Sequence, residues 1–151
     1  MNLTPAKLNM FLMYKLPSAY WSGVRAIHLD DTTCRVKVRH NWFNKNPFRS
    51  LFWAVQGMAA ELTTGAMVMM KIKDSGKDIS MLVANNKGNF TKKATGKIIF
   101  SCNQGHLIDK AILNAIETRE GQTVWLHSTG IDENGIEVSN FDFEWSLKLR
   151  S

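Results

Sequence analysis

The sequence feature that most constrains this chain is the stretch from Leu51 to Met70, in which almost every side chain is apolar or small. Its apolar residues recur every three or four positions, which predicts a helix, and a helix that is apolar nearly all round is buried on most sides. The stretch is long enough to cross a bilayer, but Glu61 at its middle would cost roughly 2.5–3.5 kcal/mol on insertion. We therefore predict no membrane span and a central, buried helix that the rest of the chain must cover.

The segments around this helix alternate apolar and polar residues, which is the period of a half-buried β-strand. Strands are predicted over residues 24–29, 34–39, 78–92, 96–103, 122–129 and 136–149. Two further amphipathic helices are predicted over residues 5–16, where Thr4-Pro5 forms a helix start, and over residues 106–118. Because each strand has one apolar face, this order of elements predicts a mainly antiparallel sheet wrapped around the buried helix.

Two short motifs bear on where these elements begin and turn. Asn46-Pro47 repeats the combination of a capping side chain and a proline, and it predicts that the long helix begins there. Asn85-Asn86-Lys87-Gly88 is compatible with a bulge inside one strand and equally with a hairpin turn between two strands. The sequence alone does not choose between these two structures for the second motif.

The composition is that of one folded domain. With 151 residues, 44% of them hydrophobic, the chain can bury a sizeable core. We predict a single domain over residues 1–151, with residues 1–19 as an N-terminal helical extension. The net charge of +6 favours anionic partners without naming one. Cys34 and Cys102 stand outside any zinc or redox spacing, as expected for buried thiols of a cytoplasmic protein, and no metal is predicted.

Glu61 is the only ionisable residue between Arg49 and Lys71. A lone carboxylate on a buried helix is costly unless it is paired, hydrogen-bonded or used in chemistry. Gly57 lies one turn before it and Gly65 one turn after, and such helix glycines cost roughly 1 kcal/mol each relative to alanine. Two explanations stay open. The glycines leave a slot beside a catalytic carboxylate, or they admit a close neighbour while Glu61 pairs with a cation of another subunit.

Two segments resemble a known family. Residues 46–62 (NPFRSLFWAVQGMAAEL) resemble the loop and helix of PaaI-type hotdog thioesterases, and more closely those of the DUF4442 branch of that superfamily. Residues 88–96 (GNFTKKATG) resemble the strand and turn that follow. The resemblance implies an α+β hotdog fold over about residues 20–150, in which an antiparallel β-sheet wraps around a long central helix and the N-terminal helix is an addition. It also implies a homodimer or a dimer of dimers that binds an acyl-CoA between its subunits.

The resemblance further implies roles for individual residues. Glu61 falls where the family keeps its catalytic carboxylate, and Asn46 falls at the loop position that helps to place substrate or water. Lys92 and Lys93 fall on the strand along which coenzyme A binds. Coenzyme A is then part of the substrate, and no separate cofactor is expected.

The chemistry of thioester hydrolysis adds candidates from the residues themselves. The reaction needs a base near the carbonyl carbon and N–H donors that face the developing oxyanion. Glu61 is the candidate for activating a water or for attacking directly. Thr64 and Gln56 are candidates for orienting the water or holding the carboxylate, and Lys97 is a further candidate for contact with the phosphates of coenzyme A.

One segment departs from the family pattern. PaaI-type enzymes carry a His-Gly-Gly-like segment whose amides bind the thioester oxygen, whereas this chain has Phe52-Trp53-Ala54. Two functions therefore stay open: an acyl-CoA thioesterase that depends on Glu61, and a non-catalytic protein that binds acyl-CoA or a fatty-acyl group. No nucleic-acid partner is expected, because the basic stripe of the second strand, Arg35, Lys37 and Arg39, lacks interleaved aromatic residues.

Overall fold

The structure is a computed structural model that describes residues 2–151. In chain order, its helices are α1 (Pro5–Lys15), α2 (Pro17–Trp21), α3 (Trp53–Ser75) and α4 (Gly105–Thr118). Its strands are β1 (Arg25–Leu29), β2 (Cys34–Arg39), β3 (Ile79–Phe90), β4 (Lys97–Cys102), β5 (Gln122–Ile131) and β6 (Glu137–Leu149). The predicted strands and the two predicted shorter helices are all present, with ends that shift by up to two residues, and Pro17 opens the additional short helix α2.

The six strands form one antiparallel sheet in the order β1-β2-β4-β5-β6-β3. Helix α3 contacts every strand of this sheet, which therefore wraps around it. The inward faces of the strands supply large buried side chains such as Phe100, Leu126 and Leu147, none of which is exposed to solvent. The predicted α+β architecture, an antiparallel sheet wrapped around a long central helix, is confirmed.

The predicted start of the long helix at Asn46-Pro47 is wrong, because α3 begins at Trp53. The Asn46 side chain caps a turn instead: its Oδ1 accepts hydrogen bonds from the amides of Phe48 (2.9 Å) and Ser50 (3.2 Å). Leu51 then donates its amide to the carbonyl of Ala94 at 2.8 Å, which ties this loop to the segment before β4. No helix among residues 2–151 is both long and apolar enough to span a bilayer.

The Asn85-Asn86-Lys87-Gly88 motif is regular strand and not a turn, and the bulge lies at Ala84, directly before it. Strand β3 runs through it, and its register against β6 shifts between Val83 and Asn85. Val83 stands opposite Trp145 and Asn86 stands opposite Phe143, and both partners belong to the buried face of β6. Since directly paired residues share a face, the bulge turns Asn86 toward the same side of the sheet as α3.

The two edges of the sheet are treated differently. Beside β1, the Asn9 side chain of α1 accepts a hydrogen bond from the amide of Ala26 at 2.7 Å and donates one to its carbonyl at 3.0 Å. Leu8 and Leu12 on α1 are fully buried, so this helix belongs to the core. At the other edge, no strand among residues 2–151 pairs with the free side of β3. One edge is thus covered and the other is left open.

Cys34 and Cys102 stand directly opposite each other on β2 and β4. Both are buried free thiols. Burial raises the pKa of Cys34 to about 12 and that of Cys102 to about 11, with the neighbouring Cys102 adding to the shift at Cys34. They behave as small core residues, as predicted.

The hydrogen bonds between Asn9 and Ala26 lead to a stability prediction. Asn9→Ala should lower the free energy of unfolding by about 1–2 kcal/mol, because the Ala26 amide and carbonyl lose their partner. Chemical denaturation measures this change. The matched control is Asn114→Ala on α4, whose side chain makes no hydrogen bond within residues 2–151, and it should unfold as the parent protein does. Equal stability of the two variants would show that the contact to β1 contributes nothing.

Candidate active site

Glu61 lies on α3 with its carboxylate partly buried and without a partner. No side chain or amide among residues 2–151 donates a hydrogen bond to its carboxylate oxygens, and no cation lies within ion-pair distance. Burial raises its pKa because an apolar environment disfavours the charged form. Lys71, the next ionisable residue along α3, is instead paired with Asp109 of α4 at 2.8 Å. Asp74 near the end of α3 is exposed, so the partly buried carboxylate without a partner on this helix is Glu61, as the sequence indicated.

Glu61 stands where two cavities meet. One is an apolar cavity of about 280 Å³ between α3 and the N-terminal helices α1 and α2. The other is an open groove over the first half of β3, which Asn86 also lines. Both cavities are lined by Glu61, Met81 and Trp145. The carboxylate is therefore accessible from the groove and adjacent to the apolar cavity.

The glycines beside Glu61 serve packing against β6. A Cβ atom at Gly65 would lie 3.0 and 3.2 Å from two carbons of the Trp145 indole, so the ring occupies the space that a side chain would fill. At Gly57 a Cβ atom would lie at an ordinary 3.8 Å from Phe141. The explanation by close packing therefore holds for Gly65, and the indole forms the wall next to the Glu61 carboxylate.

Thr64 holds this indole in place. Its hydroxyl donates to the backbone carbonyl of Glu61 at 2.8 Å and accepts from Nε1 of Trp145 at 2.9 Å. Both groups are buried. The Thr64 hydroxyl is therefore engaged with the backbone and with Trp145, and it makes no hydrogen bond to the carboxylate that it was predicted to hold.

Asn46 and Gln56 lie away from Glu61 within one chain. Gln56 is buried, donates to the carbonyl of Leu51 at 3.2 Å and accepts from the Ser139 hydroxyl at 2.7 Å. Asn46 closes the turn described above. Both residues line a second surface groove, which lies between the loop before α3 and the segment that follows β3. The structure brings these two predicted residues together but not next to Glu61.

The beginning of α3 carries two free amides. The N–H groups of Trp53 and Ala54 have no acceptor among residues 2–151, as expected at the first turn of a helix. The aromatic side chains of Phe52 and Trp53 are 43% and 59% exposed. They line the second groove and are absent from the linings of both cavities at Glu61. Two N–H donors at the positive end of the helix dipole therefore remain available to an oxyanion.

The three predicted lysines have different surroundings. Lys92 and Lys93 line the second groove. Lys92 pairs with Asp132 at 2.8 Å, and this hydrogen bond lowers the pKa of the Asp132 carboxyl. Lys93 donates to the carbonyl of Phe48 at 3.2 Å, whereas Lys97 does not line that groove. Lys92 and Lys93 therefore line the same groove as Asn46, whereas Lys97 lies outside that groove, at the start of β4.

Sequence reasoning missed the residues that form the apolar cavity. Leu8, Phe11 and Leu12 of α1 line it together with Met81 of β3 and Trp145 of β6. The helical spacing of the α1 residues indicated a face that packs on the domain, but it carried no signal that this face borders a cavity. No group of three or more histidine, cysteine, aspartate or glutamate side chains in the described part of the chain is placed to hold a metal ion.

A sheet wrapped around a long helix in this way is the predicted hotdog fold. The model of the family DUF4442, a domain of unknown function, matches residues 6–147, a range that includes most of α1. The chain belongs to this family. The predicted DUF4442 branch is thereby confirmed. No curated protein matches the sequence.

Solved structures share the fold over nearly the whole chain. A Pseudomonas aeruginosa protein of unknown function, described as a probable thioesterase, is 23% identical, with a TM-score of 0.82 and 99% of each chain covered. A Chlorobaculum tepidum protein of unknown function is 15% identical, with a TM-score of 0.81 and 98% of each chain covered. A Haemophilus influenzae thioesterase is 12% identical, with a TM-score of 0.74 and coverage of 99% of this chain and 93% of that one. At these identities the likeness establishes the fold.

The different surroundings of the two glycines give a paired prediction. Gly65→Ala should destabilise the protein by about 1–2 kcal/mol, because the new methyl group overlaps the Trp145 indole. Gly57→Ala should stabilise it by about 0.5–1 kcal/mol, because alanine is the better helix former and its methyl group meets no close neighbour. Thermal and chemical unfolding measure both changes. A shift in the same direction for both variants would contradict the packing described for Gly65.

Proposed function

We propose that this protein is an acyl-CoA thioesterase in which Glu61 is the catalytic residue. The observation that carries the proposal is an unpaired carboxylate, with a raised pKa, at the junction of an apolar cavity and an open groove. Such a carboxylate suits a general base, because a raised pKa brings its basicity closer to neutral pH. The likeness to a Haemophilus influenzae thioesterase and to a probable thioesterase from Pseudomonas aeruginosa supports the same reaction class.

In the proposed reaction, Glu61 accepts a proton from a water molecule whose oxygen attacks the thioester carbonyl carbon. The carbonyl oxygen becomes an oxyanion, which N–H donors stabilise. The C–S bond then breaks, the proton passes to the thiolate of coenzyme A, and a carboxylic acid and a thiol leave. Direct attack by the carboxylate, through an anhydride that water then hydrolyses, is the alternative route and uses the same residue.

We propose that a second copy of the chain supplies the oxyanion donors. The free edge of β3 runs beside the groove at Glu61, so a copy that pairs there lies next to the carboxylate. Several large apolar side chains near that edge and at the start of α3 are exposed, namely Phe48 (68%), Phe52 (43%), Trp53 (59%), Leu82 (67%) and Phe90 (49%). Such a group of exposed apolar residues is typical of an interface. The free amides of Trp53 and Ala54 in one copy would then serve Glu61 of the other.

The same arrangement gives the remaining predicted residues a role. Asn46 and Gln56 would orient the loop and the helix start that carry the amides, since both make hydrogen bonds within that segment. Lys92, Lys93 and Lys97 would meet the phosphates of coenzyme A at the protein surface. We also propose a cytoplasmic location, because the neighbouring cysteines Cys34 and Cys102 carry free thiols and form no disulfide.

The central test of the proposed function is Glu61→Gln. This variant should lower kcat/KM for acyl-CoA hydrolysis by at least about a hundredfold, because glutamine cannot accept the proton. Release of free thiol, followed across acyl chains of different length, measures the rate. The matched control is Glu117→Gln. Glu117 is an exposed residue of α4, so this variant should hydrolyse acyl-CoA at the rate of the parent protein. Undiminished turnover by Glu61→Gln would contradict the proposal, and acyl-CoA binding without turnover by the parent would favour a binding protein.

The stability of Glu61→Gln should depend on pH in a defined direction. Because folding raises the pKa of Glu61, the folded state holds this proton more tightly than the unfolded state. Its contribution to stability is therefore greatest below the ordinary pKa of glutamate and is lost as pH rises toward the folded value. Glu61→Gln should be more stable than the parent at neutral pH, and the difference should vanish in acid. Denaturation curves at several pH values test this, and a loss of stability at neutral pH would contradict the unpaired carboxylate.

The oligomeric state tests whether a second copy of the chain can supply the oxyanion donors. The parent chain should sediment as a dimer or a dimer of dimers. Leu82→Lys should shift it to the monomer, because a charge on an open edge strand opposes pairing. Ile136→Lys is the control, since Ile136 is 48% exposed but lies in the turn between β5 and β6. Analytical ultracentrifugation measures both, and a monomeric parent chain would exclude a site shared between copies.

A further inference from the structure

We infer that α1 and α2 form one wall of a chamber for an aliphatic chain of about ten carbons, with Glu61 at its opening. As a statement about the acyl group of a substrate, this inference rests on the proposed thioesterase function. The chamber is the apolar cavity between these helices and α3. It lies inside a single chain, so its shape does not depend on a second copy.

The lining of the chamber selects for an apolar occupant. Its walls are aliphatic, aromatic, methionine or glycine residues, apart from Glu61, Lys15 and Ser18. Lys15 and Ser18 are exposed, so they lie toward solvent. A water molecule needs two or more polar partners to be held inside a protein. The interior of this chamber offers one carboxylate, so methylene groups are better suited to it than water.

The volume of the chamber sets the length of that occupant. The cavity, which is open to solvent at Lys15, Leu16 and Ser18, measures about 280 Å³. An apolar cavity of about 150 Å³ accommodates benzene with its six carbons. By the same proportion, the chamber accommodates an aliphatic chain of about ten carbons. A chain of that size would contact Leu12 of α1 on one side and Leu62 and Met69 of α3 on the other.

The opening of the chamber places the end of such a chain at the carboxylate. The chamber and the groove over β3 share Glu61, Met81 and Trp145. A thioester whose acyl chain fills the chamber therefore has its carbonyl carbon near Glu61 and its thiol portion in the groove. The hydrogen bond from Trp145 to Thr64 fixes one side of this opening.

The wall formed by the N-terminal helices is held in a fixed position. Asn9 ties α1 to the edge strand β1 through two hydrogen bonds. Ala19 of α2 and Ala66 of α3 are both buried and both line the chamber. A fixed wall limits chain length, because an occupant that is too long cannot push it aside. Side chains at these two alanines are therefore expected to set which acyl length fits.

The test compares variants that shrink and enlarge the chamber. Ala19→Leu adds three carbons to the wall, so the preferred ligand should shorten by about three carbons, and Met69→Ala should lengthen it by about three. Binding is measured by calorimetry with 1-alkanols of about six to twelve carbons, where each accommodated methylene should raise affinity about fourfold. Hydrolysis is measured in parallel with acyl-CoAs of matching length. Ala6→Leu is the control, because Ala6 is exposed on α1 and does not line the chamber.

The two readouts separate the chamber from the proposed reaction. Opposite shifts of the preferred alkanol length in Ala19→Leu and Met69→Ala, with no shift in Ala6→Leu, support the chamber even if no acyl-CoA is hydrolysed. In that case the proposed function fails and the binding site stands. Hydrolysis that depends on Glu61, with a chain-length preference that neither variant moves, overturns the chamber and leaves the function standing. If Ala19→Leu does not fold, the direction of the shift in Met69→Ala decides alone.

Discussion

The burial of α3 is the constraint on which the rest of this structure depends. A helix that is apolar on nearly every side needs cover on every side. Helix α4 covers part of it, and the sheet and the N-terminal helices are the two layers that surround Glu61. The sheet packs tightly, since the Trp145 indole fills the space at Gly65 and the hydroxyls of Thr63 and Ser128 meet at 2.8 Å. The N-terminal helices cover the other side less closely. The cavity lies on that side, and Glu61 faces the boundary between the two layers.

The alternation of apolar and polar residues was enough to predict the sheet, because a strand that is half buried must alternate. The start of α3 could not be predicted in the same way. Asn46-Pro47 has the chemistry of a helix cap, but the same side chain can close a turn by accepting from amides two and four residues later. The hydrogen bond from Leu51 to Ala94 decides between them, and Ala94 is distant in the sequence.

The candidate site was predictable only in part. The isolation of Glu61 is visible in the sequence because it needs nothing but a count of charges along one helix. The reason for Gly65 is not visible there, since the indole that fills its space belongs to the last strand. The cavity arises from a gap between α1 and α3. The sequence pattern of each helix shows which face is apolar but not how closely the two faces pack. In the proposed site, the amides of Trp53 and Ala54 would meet Glu61 across a surface between copies, and no pattern within a single chain describes such a surface.

The reactivity of the two neighbouring cysteines can report how often the sheet opens. Cys34 and Cys102 lie opposite each other across β2 and β4, and their exposed fractions are 0% and 1%. A thiol reagent needs access to the sulfur and a thiolate to react with. Burial blocks the access, and pKa values of about 12 and 11 keep both groups as thiols at neutral pH. Labelling can therefore proceed only when these two strands separate. The rate at which the thiols react thus reports how often this half of the sheet opens, independently of anything that happens at Glu61.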